Sequence, residues 1–133
     1  DNSHPEIGMG IIGELENEED TEGFLQRLKS TFGTPVIRHS GLVADHVKRI
    51  AVLGGSGSFG IERAIAAGAD VYVTSDLKYH DFFKAENKIL LVDIGHYESE
   101  QFTKNLLAEY LSEKIPNFAI SLSETKTNPI NYF

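Results

Sequence analysis

Apolar positions along this chain switch between two periods. In TEGFLQRLKSTF, Phe24, Leu28 and Phe32 recur at helical spacing, with Leu25 beside them and Gly33 as a stop signal. IAVL within Lys48–Gly55 and ILLV within Lys88–Gly95 are instead continuous apolar runs, the mark of strands covered on both faces. The remaining segments follow the same alternation. GMGIIGEL reads as extended, ENEED as an acidic turn, PVIRHS as a short strand and SFGIERAIAAG as a helix closed by Gly68. DVYVTSD is a strand, LKYHDFFKAEN a short helix, and HYESEQFTKNLLAEYLSEKI one long helix with Phe102, Leu106 and Tyr110 along a side. NFAISLS reads as a last strand and ETKTNPINYF as an irregular tail.

Strands that alternate with helices through short loops predict right-handed crossovers, and hence an α/β fold with a largely parallel sheet. In such sheets ligands gather outside the carboxyl ends of the strands. GGSGSFG, TSDLKYH and DIGHYESE all leave strands there, with a fourth such segment in SLSETKTNP. That convergence is the functional signal carried by the residues themselves.

Each segment admits two readings. The backbone of Gly55, Ser56, Gly57 and Ser58 is a candidate anion loop. Its spacing departs from both G-x-x-x-x-G-K-[ST] and G-x-G-x-x-G, which favours a tight turn with close helix–sheet packing. In TSDLKYH, Asp76 suits a helix cap, Lys78 a solvated surface and His80 a packed ring, and an isolated Asp-x-Lys-x-His favours those structural roles over chemistry. His96 and Glu100 stand four apart, so they project from one helix face. Imidazole and carboxylate together suit zinc, manganese or ferrous iron. A carboxylate at a helix start equally complements the positive end of its dipole, as Glu98 does. From spacing alone, ligand and cap stand level, and two ligands do not complete a site.

Composition narrows the setting. At 133 residues one domain is expected, here a single α/β domain over residues 1–133. There is no cysteine, so any metal rests on His, Asp or Glu, and a cytoplasmic location is expected. No apolar run approaches the ~20 residues of a membrane span. A formal net charge of −8 opposes a nucleic-acid backbone. The chain opens on Asp1 and not on methionine, as expected of a fragment or a processed form.

The GGSGS loop, AGADVYVTSDLKYHD, IGHYESE and the closing TNPINYF, with GMGIIGEL before them, resemble one family closely. It is the GTP cyclohydrolase 1 type 2 homologue family, also called the NIF-three-like dinuclear metal centre proteins. The resemblance covers nearly the whole chain and corresponds to the later half of a typical member. It implies a three-layer α/β/α fold, a ring-shaped homohexamer, and two divalent cations per subunit (zinc, manganese or iron). It maps metal ligands onto His96 and Glu100 and gives Asp76, Lys78 and His80 pocket or supporting roles. The family's other ligands, a paired-histidine motif before proline and an aspartate, have no counterpart here. His4-Pro5 is a single histidine in another context, and Ser75 stands where glycine is common. The implied function is part of a metal-dependent hydrolase acting on a nucleotide or other phosphate-bearing small molecule, with no catalytic residue assigned. The alternatives are a non-catalytic metal-binding scaffold that assembles as a ring, and a nucleotide-binding module built on GGSGSFG.

Overall fold

The computed structural model describes residues 7–133; His4 and Pro5 lie outside the described residues. The chain divides into two compact units, one ending at Ser99 and one comprising Glu100–Phe133.

The first unit is built on a five-stranded mixed sheet in the order β1-β3-β4-β5-β2. Its centre is the parallel trio β3 (His46–Ser56), β4 (Val71–Ser75) and β5 (Leu90–Asp93). These carry the continuous apolar runs, and β4 and β5 are buried along their whole length. The edges are antiparallel. β1 (Ile11–Asp20) pairs with β3, and the two-residue β2 (Arg38–His39) pairs with β5. The parallel character expected from the crossovers therefore holds for the core strands and stops at the edges.

Helices cover both faces, because successive strand residues point to opposite sides. Val71, Val73, Leu90 and Val92 face α1 (Thr21–Phe32), whose Phe24 and Leu28 complete that cluster. Tyr72 and Leu91 face the other way, towards Ile61 and Ala64 of α2 (Ile61–Ala66) and Ala85 of the 3₁₀ segment Tyr79–Ala85. This is the three-layer arrangement. α1 starts where the Asp20 carboxylate accepts from Gly23 N–H at 2.7 Å, and it stops at Gly33 in the left-handed conformation, φ 62°.

Three segments differ from the sequence expectation. ENEED is not a turn: β1 continues through it to Asp20, with a register break between Glu14 and Glu19. An edge strand keeps one side in solvent, so acidic residues are tolerated and discourage further pairing. The long helix expected over residues 96–115 is two helices, α3 (His96–Glu100) and α4 (Thr103–Lys114). α4 restarts from the Phe102 carbonyl, which accepts from Asn105 and Leu106 N–H at 3.1 and 3.2 Å. NFAISLS forms no strand. In the second unit α4 buries no side chain, and the Lys104 ammonium donates to the Ser123 carbonyl at 3.1 Å.

Candidate functional site

Because β3, β4 and β5 run parallel, their carboxyl ends deliver three loops to one edge of the sheet. The loops are tied to one another. Gly55 N–H donates to Ser99 Oγ at 2.9 Å, and Ser99 Oγ donates to the His96 carbonyl at 2.8 Å. Ser75 Oγ donates to the Gly55 carbonyl at 2.6 Å. Ser99 thus links α3 to the glycine loop, a role that spacing gave no sign of.

The central contact is His96 Nδ1 to Asp76 Oδ2, at 2.6 Å, between two half-exposed side chains. An ionised carboxylate only accepts, so this contact favours a ring that donates from Nδ1. Asp76 therefore does not cap the segment after it. Asp81 does that, accepting from Lys78 N–H at 3.0 Å and from the Lys84 ammonium at 2.9 Å. The Lys84 hydrogen bond, with smaller help from the Lys78 N–H, holds the Asp81 carboxyl below its ordinary pKa.

Asp76 reaches His96 from a left-handed backbone, φ 57°, which is uncommon outside glycine but tolerated by Asp. A buried carboxylate secures its surroundings. Asp93 accepts from Leu77 N–H at 2.9 Å and from Gly95 N–H at 3.1 Å, and it pairs with the Arg38 guanidinium. Arg38 donates in turn to the Leu77 carbonyl at 2.8 Å. One side chain thereby fixes the residue after Asp76 and the residue before His96. Asp93 and Arg38 escaped the sequence reading because they lie 55 positions apart. Only the pairing of β2 with β5 brings them together.

The other candidates fall as follows. Glu100 closes α3, one helical turn from His96, and Glu98 is buried. Lys78 and His80 are exposed, and the His80 ring meets Tyr79 edge-on with centroids 5.1 Å apart. In the glycine loop, Gly55 N–H is taken by Ser99, and Gly57 N–H donates to the Ser75 carbonyl at 3.4 Å. Both of those donors thus have protein partners. A side chain at Gly57 would meet Thr74 Oγ1 at 2.0 Å and the Tyr72 hydroxyl at 2.7 Å.

A histidine whose Nδ1–H rests on a carboxylate has the arrangement that orients Nε2 for a cation. The chemistry of the donors present thus fits a divalent metal, but the set is small. Among the described residues no group of three or more His, Asp or Glu side chains is placed to hold one. Also among the described residues, no helix is long and apolar enough to cross a membrane.

Sheet and loops together define an α/β protein with a histidine–carboxylate pair at the carboxyl edge of its parallel strands. The chain belongs to the Duf34/NIF3 (NGG1p interacting factor 3) family, whose model matches residues 2–129. It is 36% identical over 136 residues to a GTP cyclohydrolase 1 type 2 homolog of Staphylococcus epidermidis, covering 98% of this chain and 37% of that protein. The crystal structure of Staphylococcus aureus protein SA1388 superposes with a TM-score of 0.81 at 34% identity, covering 95% of this chain and 42% of that one. A Bacillus cereus protein related to NIF3 gives 0.79 at 34% identity, covering 95% and 36%. The chain spans a little over a third of the length of the curated relatives it matches.

Proposed function

We propose that this chain supplies His96 and Glu100 to a divalent-cation site, and that the complete protein is a cytoplasmic metal-dependent hydrolase. Its substrate would be a nucleotide or another phosphate-bearing small molecule. The observation that carries the reading is the 2.6 Å contact between Asp76 Oδ2 and His96 Nδ1, since it orients an imidazole as metal sites require. The relatives' name, GTP cyclohydrolase 1 type 2 homolog, supports the substrate class. The remaining ligands would come from protein outside this chain. When bound, a pair of cations supplies Lewis acidity and an activated water. This chain's own part is to hold and orient: Asp76 steadies the His96 ring, and the exposed Lys78 ammonium attracts an anionic substrate. Assembly as a homohexameric ring belongs to the same proposal.

The test is the metal content of the full-length protein that carries this segment. His96→Ala and Glu100→Gln are expected to lose metal, while Glu98→Gln keeps it. Equal metal content in all three variants defeats the assignment.

A further inference from the structure

The Asp76–His96 pair does more than bring two side chains together. Two half-exposed groups in an ion pair contribute little on their own, so stability does not explain the geometry. Asp76 nevertheless sits in a backbone conformation that a glycine would occupy without strain. Its neighbours leave it no room to relax. Ser75 is buried and bonded to the Gly55 carbonyl, and Leu77 is buried with its N–H on Asp93 and its carbonyl on Arg38. On the far side of the pair, Gly95 N–H rests on the same Asp93 carboxylate. The loop before Asp76 and the turn before His96 are thus referenced to one buried group.

We propose that Asp76 is a positioning residue: its carboxylate locks the His96 ring with the proton on Nδ1 and the lone pair on Nε2, and the Arg38–Asp93 pair holds Asp76 in the strained conformation that achieves this. Strain held in place by its surroundings belongs with preorganisation. A ring fixed before the cation arrives needs no tautomer exchange or rotation on binding. The inference takes its purpose from the metal reading above, but the tautomer is a property of this chain alone.

The experiment uses the nitrogen-15-labelled 133-residue chain, with long-range proton–nitrogen correlation spectra recorded above the range where imidazole titrates. His96 is identified by its absence from the spectrum of His96→Gln. The wild-type ring is expected to be in the Nδ1–H form. In Asp76→Gly the Nε2–H form takes over, while the thermal midpoint stays level or rises because glycine accepts the left-handed backbone. Asp76→Asn, with an amide oxygen that can accept, recovers the Nδ1–H form in part. A merely structural Asp76 would lower the midpoint on replacement by glycine and leave the tautomer alone. An Nε2–H ring in the wild type, or an unchanged ring in Asp76→Gly, overturns the inference. Zinc titration of the same samples, followed at His96 Nε2, is expected to show affinity falling about 10- to 100-fold in Asp76→Gly. If zinc moves no signal in any variant while the tautomer shifts as stated, the metal reading fails and the positioning of the ring stands.

Discussion

At the scale of single residues, the glycine loop shows how closely a turn can pack on a strand. The Tyr72 hydroxyl donates to the Gly57 carbonyl at 2.9 Å, and Thr74 Oγ1 donates to the Gly55 carbonyl at 3.2 Å. The loop backbone lies directly on these two β4 side chains. Gly57→Ala is therefore expected to destabilise the protein by about 1–3 kcal/mol, the usual effect of forcing a methyl into filled space. Gly13→Ala is the control, because nothing lies within 4 Å of its added carbon. Urea denaturation of both variants checks this, and equal midpoints refute the packing role. The close packing of this loop on β4 agrees with the tight turn that the spacing of Gly55–Gly60 favours. The role of Asp93 was not legible. An aspartate ending an apolar strand looks the same in sequence whether it faces solvent or is buried among three donors. The donors that decide the matter come from Arg38, Leu77 and Gly95, on three separate segments.

At the scale of elements, what could be read was whatever local pattern determines. β3, β4, β5 and α1 follow from apolar runs and a helical stripe, and Gly33 and Gly68 both stand in the left-handed conformation at helix ends. What could not be read depends on partners. NFAISLS has the composition of a strand, but a strand needs a neighbour to take its N–H and C=O groups, and none pairs with it among the described residues. ENEED lacks strand composition and still lies in one, because β3 pairs with its Glu19 and Asp20 and Arg27 meets Glu19 in an ion pair. The 3₁₀ segment Tyr79–Ala85 owes its start to Asp81, whose folded pKa is depressed by Lys84 first and the Lys78 N–H second. A depressed pKa contributes stability above the ordinary aspartate value and loses it as the pH falls through the folded value. The gap in thermal midpoint between wild type and Asp81→Asn is thus expected to be widest near neutrality and to close in acid. A gap independent of pH would show that the carboxylate charge is not what matters.

At the scale of the whole molecule, the metal reading and the isolated chain lead to opposite expectations. On the proposed metal reading, the complete protein would draw on ligands from more than this segment, whereas the described residues of the 133-residue chain would bring His96 and Glu100, the first and last residues of α3. Two side chains leave most coordination positions to water, so little of the binding free energy comes from the protein. A ligand stabilises the folded state only by RT ln(1 + [L]/Kd), and a weakly held cation contributes little at ordinary concentrations. The core of the first unit rests on apolar side chains packed against both faces of its sheet. Thermal unfolding of this chain is therefore expected to be indifferent to EDTA, to shift upward only slightly with excess zinc or manganese, and to be accompanied by no hydrolytic turnover. Differential scanning calorimetry with and without chelator, beside a calorimetric zinc titration, measures both quantities. A midpoint that falls by several degrees on chelation would mean that this chain completes a tight site by itself. The division of ligands between this segment and the rest of the protein would then be wrong, although the role of Asp76 in holding His96 would not.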